Sequence, residues 1–295
     1  MPSIGRFRYL ESTPAPAARP RGVVVLLHAF PLNARMWGPQ FEPLAADGWR
    51  VIAPQMRGAD DAEGGRVSEA GGRVSEDQQT RPRANETRPR ANETRSLTLD
   101  DHAGDVIDLL DALHVEDAVI GGCSMGGYLS FALMRLAPNY FRGLLLIDTR
   151  PQADAPEALE GRKTLLRLAE EQGAAGVLAD MEPKLLGETT RRGRPDVVAH
   201  LRDIAARNSN ASIAGMVRAL MSRQDSTPLL PTIRVPTLIV VGDEDTITPP
   251  ALSRQMHEAI PGSTLEILPR VGHLPNLEQP GAFNAVLTRF LSTRV

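Results

Sequence analysis

The chain has 295 residues, of which 42% are hydrophobic and 4% aromatic, and a net charge of −3. This length and apolar content support one large domain with a buried core. The charge and the scarcity of aromatic side chains argue against a nucleic-acid partner, which needs clustered Lys and Arg or stacking rings. The single cysteine, Cys123, excludes an intramolecular disulfide and a cysteine-based metal site.

No apolar run near Met1 has the length of a signal peptide, and no stretch approaches the length of a membrane span. The sequence therefore predicts a cytoplasmic protein without a membrane partner.

Six short apolar runs, each bounded by turn residues, predict buried strands. They are Arg21–His28, Trp49–Pro54, Ala118–Cys123, Gly143–Asp148, Pro236–Val241 and Thr264–Pro269. Runs rich in Val, Leu and Ile are typical of parallel strands that are covered on both faces. Four amphipathic stretches predict helices, namely Leu99–Leu113, Tyr128–Ala137, Pro249–Ile260 and Gly281–Leu291. This alternation predicts an α/β fold with a doubly wound, mostly parallel sheet, and a ligand site at the carboxyl ends of the strands.

Two segments interrupt the alternation. Thr149–Thr232 has helical patterns and no convincing strand, so we expect a small helical cap inserted into a core formed by residues 1–148 and 233–295. Ala59–Ser96 contains two repeats with a period of seven, GGRVSEA/GGRVSED and TRPRANE, each with Gly or Pro. The absence of apolar a and d positions excludes a coiled coil. The composition predicts a disordered loop, with a partner-binding arm as the alternative.

The strongest local signal is the run Gly122–Gly127 (GCSMGG), which lies between a predicted strand and a predicted helix. A serine on a sharp strand-to-helix turn, flanked two residues away by small residues, is typical of a nucleophile elbow. Gly122 and Gly126 meet this requirement, and the start of the helix favours negative charge at the reacting centre. The pattern predicts that Ser124 is a nucleophile.

A serine hydroxyl needs a base with a pKa near 7. Four of the six histidines fall within helical patterns or at their ends, where packing or surface roles are expected: His102, His114, His200 and His257. His273 follows the last predicted strand in the loop VGHLP, at the sheet edge expected for Ser124. We therefore predict that His273 is the base.

The base needs a carboxylate to fix its tautomer. Asp245 follows a predicted strand and completes the chain order Ser, Asp, His that this kind of site shows. Asp243 and Glu244 share its turn, and Asp148 at the end of the strand after the serine's helix is the main alternative acid. The oxyanion formed during acyl transfer needs main-chain donors. The Met125 and Phe30 amides are the candidates.

Together these motifs resemble the α/β-hydrolase superfamily and, within it, serine esterases and the 3-oxoadipate enol-lactonase-like group. The resemblance also includes Met36-Trp37, Arg57-Gly58 and Gly272-His273 followed by Glu278. It implies hydrolysis of a small carboxylic ester or lactone through an acyl-enzyme, with Ser124, Asp245 and His273 as the triad and with no metal or organic cofactor. Ala29 departs from the glycine usual after the histidine of the oxyanion loop.

Two alternatives stay open at this stage. Cofactor-free haloperoxidases or perhydrolases share the same triad. The fold also serves non-catalytic ligand-binding proteins, although a complete Ser, Asp and His set in this order argues against that interpretation.

Overall fold

A computed structural model describes residues 1–14, 19–57 and 96–295. The predicted repeat-bearing loop, Ala59–Ser96, lies outside the described residues except for Ser96. Within the described ranges, no helix combines the length and the apolar character that a membrane crossing needs.

Eight strands form one sheet in the order β1-β2-β4-β3-β5-β6-β7-β8. The strands are β1 (Ser3–Ile4), β2 (Phe7–Ser12), β3 (Gly22–Leu27), β4 (Trp49–Gln55), β5 (Ala118–Cys123), β6 (Phe141–Ile147), β7 (Thr237–Gly242) and β8 (Thr264–Leu268). Strands β3 to β8 pair in parallel, whereas β2 pairs antiparallel with both β1 and β4. The predicted doubly wound, mostly parallel sheet is confirmed.

All six predicted strands are present, with their ends shifted by at most two residues. Strands β1 and β2, at one end of the sheet, were not predicted, because Phe7–Ser12 mixes charged and apolar residues and is mostly half-buried. A half-exposed strand of mixed polarity lacks the continuous apolar run that marks a buried central strand.

The α-helices of the described ranges are α1 (Gly38–Ala46), α2 (Leu99–Ala112), α3 (Met125–Leu136), α4 (Pro156–Leu185), α5 (Glu188–Gly193), α6 (Pro195–Ala206), α7 (Asn210–Met221), α8 (Pro250–Ala259), α9 (Pro275–Glu278) and α10 (Pro280–Thr293). Helices α2, α3, α8 and α10 correspond to the four predicted helices. Helix α3 begins at Met125, three residues before the predicted start at Tyr128, because two glycines in its first turn weaken the apolar pattern.

The core is divided by the sheet into two layers. Val25 and Leu27 of β3 point to the layer that includes α2 and α3, whereas Val24 and Leu26 point to the layer that includes α10. Alternate residues of a strand face opposite sides of a sheet, so a strand buried on both faces must be apolar throughout.

Helices α4 to α7 lie between β6 and β7, and residues 149–232 contain no strand. Helix α4 is kinked at Gly173, which has a φ of 67°. The Gly187 amide of this segment donates to Glu278 at 2.9 Å, and the Ile204 carbonyl accepts from Asn33 at 2.8 Å. Glu278 and Asn33 follow β8 and β3, so the segment lies at the carboxyl ends of the strands.

The first turn of α3 approaches β3 closely at two glycines. A Cβ placed on Gly126 would lie 2.1 Å from the Leu27 carbonyl oxygen, and one on Gly122 would lie 2.3 Å from the same atom. Both contacts involve main chain that cannot move without displacing β3. The requirement for small residues at these two positions is therefore steric.

The close contact between α3 and β3 can be tested with a substitution and a matched control. Overpacking a core costs about 1–3 kcal/mol, and each kcal/mol shifts the melting temperature of a large domain by about 2–4 °C. We expect Gly126→Ala to lower the melting temperature by about 2–12 °C on that scale. A methyl group added to Gly215 in α7 would have no atom within 4 Å. Gly215→Ala should be neutral or stabilising, because alanine favours a helix over glycine. Equal melting temperatures for the two variants would contradict the steric argument.

Candidate active site

Ser124 occupies the turn between β5 and α3 and has a φ of 53° and a ψ of −110°. This conformation is unfavourable for a residue with a Cβ and persists only where neighbours hold it. The Ser124 amide donates to the Ile147 carbonyl at 2.9 Å, and its carbonyl accepts from the Thr149 hydroxyl at 2.9 Å. Its side chain makes no capping hydrogen bond to α3 and is buried apart from a small exposed surface. The hydroxyl is therefore not used by the helix it precedes.

His273 and Asp245 form a buried pair, with His273 Nδ1 2.8 Å from Asp245 Oδ2. Asp245 also accepts from the Ile247 amide at 2.8 Å and from the Thr248 amide and hydroxyl at 3.1 and 2.6 Å. Burial by itself raises the pKa of Asp245, but the facing His273 and the Thr248 hydrogen bonds outweigh it and lower the pKa. An ionised carboxylate only accepts hydrogen bonds, so Nδ1 of His273 carries the proton and Nε2 is left as the basic atom.

The residue before Ser124 contacts the loop that carries His273. The Cys123 thiol donates to the His273 carbonyl oxygen at 3.3 Å, which places the ends of β5 and the loop after β8 at one edge of the sheet. Burial raises the pKa of the Cys123 thiol well above its ordinary value, and nearby Asp148 adds to the effect. The thiol therefore stays protonated and is a poor nucleophile.

Glu278 holds the loop on both sides of His273. Its buried carboxylate accepts from the Gly272 amide at 3.0 Å and from the Leu274 amide at 3.1 Å. It also accepts from the Gly187 amide at 2.9 Å, in the helical segment between β6 and β7. One carboxylate thus fixes the backbone of the histidine loop and joins that loop to the helices above it.

Asp148, the alternative acid, lies next to the Asp245–His273 pair. Potential ligand atoms of Asp148, Asp245 and His273 all lie within 4.8 Å of one another, the one such group of three found among the described residues. His273 bonds to Asp245, whereas Asp148 Oδ1 accepts from the Gly242 amide at 2.9 Å. Burial raises the pKa of Asp148 well above its ordinary value, and the charge on Asp245 raises it further. The oxygens of Asp245 already accept four hydrogen bonds, so the group forms a hydrogen-bonded network rather than an open metal site.

The raised pKa of Asp148 gives a pH-dependent stability. Above the ordinary value of 3.8, the folded protein keeps a proton on Asp148 that the unfolded chain has released. Folding stability therefore falls as pH rises through this window, by about 1.4 kcal/mol for each pH unit. Asparagine does not titrate and keeps an acceptor for the Gly242 amide.

We expect Asp148→Asn to melt near the parent temperature at pH 4 and above it at pH 7, while Asp245 contributes to both proteins alike. Asp180→Asn, on an exposed face of α4, is the control and should give the same small difference at both pH values. Thermal unfolding by circular dichroism measures the effect. A shift for Asp148→Asn that is identical at pH 4 and pH 7 would show that Asp148 is ionised in the folded protein.

The loop after β3 contains the predicted oxyanion donor Phe30. His28 at its start is fully buried, and burial lowers its pKa to about 4, so the ring is neutral at pH 7. Its Nδ1 lies 3.1 Å from the Ala29 carbonyl, and its Nε2 accepts from the Met56 amide at 3.3 Å. Within the described ranges, the amides of Phe30 and Met125 have no hydrogen-bond acceptor. Both donors are available to a ligand.

The other histidines lie away from this pair. His102 is buried in α2 and His114 lies just after that helix, whereas His200 and His257 are exposed. Sequence reasoning missed Thr248, whose hydroxyl orients Asp245. An aspartate that binds the backbone two residues on, as Asp245 binds the Ile247 amide, is typical of a turn, but this pattern does not single out Thr248.

Comparisons with known proteins identify the family. Residues 22–280 match the family of proteins with the alpha/beta hydrolase fold, so the chain belongs to that family. It is 32% identical over 196 residues to 3-oxoadipate enol-lactonase 2 of Acinetobacter baylyi, a match that covers 65% of this chain and 72% of that protein. A thermophilic esterase from Thermogutta terrifontis, solved with malate bound, is 31% identical, with a TM-score of 0.80 and coverage of 97% of this chain and 93% of that chain.

A third relative has a differently described activity. BpoC of Mycobacterium tuberculosis, whose name proposes a non-heme bromoperoxidase, is 28% identical over 198 residues, or 64% of this chain and 73% of that protein. The resemblance to the α/β-hydrolase superfamily and its esterase and enol-lactonase-like members is confirmed.

Proposed function

We propose that the protein is a serine hydrolase that cleaves a small carboxylic ester or lactone through an acyl-enzyme. The observation that carries this proposal is the buried Asp245–His273 hydrogen bond at the sheet edge where Ser124 is held with a positive φ. The names of the enol-lactonase and esterase relatives support the same reaction.

The mechanism assigns one role to each group. His273 Nε2 takes the proton of the Ser124 hydroxyl as its oxygen attacks the substrate carbonyl. The amides of Phe30 and Met125 donate to the oxyanion that forms. The carbonyl is restored when the leaving oxygen departs with the proton from His273. Water then loses a proton to His273, attacks the acyl-enzyme, and releases the acid as Ser124 regains its proton.

Asp245 is the acid of this mechanism, because it accepts from His273 Nδ1 and its pKa is lowered. It stabilises the positive charge that His273 carries during each proton transfer. The raised pKa of Asp148 supports a neutral acid there, which cannot stabilise that charge in the same way.

The acyl pocket is proposed to be small and apolar, with residues 149–232 as its cap. Met125 packs closely against the apolar side chains of Leu99, Leu129, Met216 and Ala219. Met216 and Ala219 belong to α7 in the proposed cap.

The first test is turnover of short-chain p-nitrophenyl esters by the parent and Ser124→Ala. Loss of a triad nucleophile removes on the order of 10⁴-fold or more of the rate. Ser130→Ala is the matched control, because Ser130 is a buried serine on the same helix that bonds only to the Gly126 carbonyl among the described residues. We expect Ser130→Ala to keep near-parent turnover. Equal rates for the parent and Ser124→Ala would favour a ligand-binding protein instead.

A carboxylate on the substrate is the second part of the proposal. Asp154 is surrounded by the guanidinium groups of Arg150, Arg162 and Arg223 at 2.9, 3.1 and 2.6 Å, so these four groups carry two excess positive charges. Arg223 lies 3.9 Å over the ring of Tyr128, one helical turn after Ser124. The Thermogutta terrifontis esterase was solved with malate, a dicarboxylate, bound, which supports an anionic ligand for this chain.

This part predicts a substrate preference that depends on Arg162, whose side chain is about one-fifth exposed. Arg162→Gln should lower kcat/KM for p-nitrophenyl hemisuccinate by about tenfold, the loss of one charge-assisted hydrogen bond. Its kcat/KM for p-nitrophenyl butyrate should change by less than about twofold, because no charge is bound. Arg218→Gln, which breaks an exposed pair with Glu170, is the control and should spare both substrates. Equal losses on both esters would place Arg162 in the structure of the cap instead.

The name of BpoC supports one further candidate activity, perhydrolysis. In that reaction hydrogen peroxide replaces water in the attack on the same acyl-enzyme and releases a peracid. The same Ser124→Ala comparison, run with hydrogen peroxide and a peracid-sensitive dye, measures it.

A further inference from the structure

The oxyanion loop, residues 28–33, lies between the sheet core and the helical segment above it. On the core side, the Ala29 amide contacts Met36 Sδ at 3.1 Å and the Leu32 amide donates to the Ala29 carbonyl at 2.9 Å. These contacts hold both ends of the loop. Neither contact involves the Pro31 carbonyl, which lies next to the proposed oxyanion donor Phe30 and faces the helical segment.

Two buried asparagines supply that second side. Asn208, between α6 and α7, donates from Nδ2 to the Pro31 carbonyl at 2.8 Å. Asn33 donates to the Ile204 carbonyl at 2.8 Å and to Asn208 Oδ1 at 3.3 Å. Asn33 is fully buried and Asn208 is 4% exposed. Each amide contact joins the end of α6 to the oxyanion loop, across more than 170 residues of chain.

The chain geometry transmits this anchor to Phe30. The proline ring fixes the φ of Pro31, and the peptide bond before it is planar. When the Pro31 carbonyl is held, the ψ of Pro31 is also fixed, so the plane of the Phe30–Pro31 peptide cannot turn freely. The Phe30 amide belongs to the Ala29–Phe30 peptide, whose carbonyl accepts from the Leu32 amide at 2.9 Å, so Ala29 to Leu32 form one turn. The hydrogen bond from Asn208 holds this turn at Pro31 and thereby helps to restrain the Phe30 amide that we assign to the oxyanion.

We propose that Asn208 is a positioning residue that completes the oxyanion hole from the helical segment between β6 and β7. This inference rests on the proposed serine hydrolase function. Because α6 is joined to the loop through Asn208, it helps to fix the orientation of the Phe30 amide. The segment therefore contributes to stabilisation of the transition state as well as covering the substrate. When a donor turns away from the oxyanion, the transition state loses far more stabilisation than the bound ester does.

The test compares Asn208→Ala with Asn210→Ala. Asn210 lies two residues further on, and its Oδ1 accepts from the Ala174 amide at 2.9 Å, entirely within the helical segment. For p-nitrophenyl butyrate we expect Asn208→Ala to lower kcat by about 10- to 100-fold, somewhat less than loss of a whole oxyanion donor. KM should stay within about twofold, and Asn210→Ala should leave both constants near those of the parent.

A second measurement separates positioning from general damage. Butylboronic acid forms a tetrahedral adduct with a reactive serine, in which a boron-bound oxygen mimics the oxyanion. Asn208→Ala should weaken inhibition by this compound by the same factor as kcat, while inhibition by butyric acid, which samples only the pocket, stays unchanged. Parallel losses in Asn208→Ala and Asn210→Ala, or an unchanged boronate affinity, would overturn the proposal.

If Asn208→Ala does not fold, Asn208→Ser keeps one small donor at the site and decides the question. We expect its kcat and its affinity for the boronate both to be lower than those of the parent, and by the same factor. Turnover of the parent and its loss in Ser124→Ala test the hydrolase function separately. A parent that turns over normally beside an unaffected Asn208→Ser variant would reject only the role of Asn208.

Discussion

The main-chain contact between β3 and the β5–α3 turn is the constraint on which the rest of the site depends. Gly122 and Gly126 bring this turn against the Leu27 carbonyl, and on the other side the Ile147 carbonyl binds the amide of Ser124. The turn is thus held by the strands on both sides of β5, and it keeps Ser124 in a conformation that an unsupported loop would not maintain. Because β3 continues directly into the oxyanion loop, the same contact also sets the distance between that loop and the serine.

The loops at this edge are held mainly by carboxyl groups bound to backbone amides. Asp148 binds the last residue of β7 through the Gly242 amide, Asp245 closes its own turn, and Glu278 holds the loop on both sides of His273. A buried carboxyl group needs such partners, because an unsatisfied one is strongly destabilising. Irregular segments with few apolar side chains thereby keep a fixed geometry. His273 is the basic side chain that this network leaves facing Asp245.

The parts of the fold that sequence could predict are those whose signal is local. Strands β3 to β8 are near-continuous apolar runs, and Ser124, Asp245 and His273 each follow the end of one, so parallel topology brings them to one edge. The half-exposed β2 lacks such a run. The preference of His273 for Asp245 over Asp148 depends on distances between side chains from different strands, which no spacing encodes. The contact of Asn208 with the oxyanion loop joins two irregular segments that are 177 residues apart, and neither carries a pattern that indicates the other.

Cys123 has a practical consequence for observing the molecule in motion. It is the one cysteine of the 295 residues, it is fully buried, and its thiol stays protonated because burial raises its pKa. Maleimide and iodoacetamide reagents react with accessible thiolates, so the native chain is silent toward them while it is folded. A single cysteine introduced on an exposed face of α4 or α8 can therefore carry a fluorophore at a defined position without removal of any native residue. The rate at which Cys123 itself reacts would then measure how often the sheet core beneath the serine opens by local unfolding.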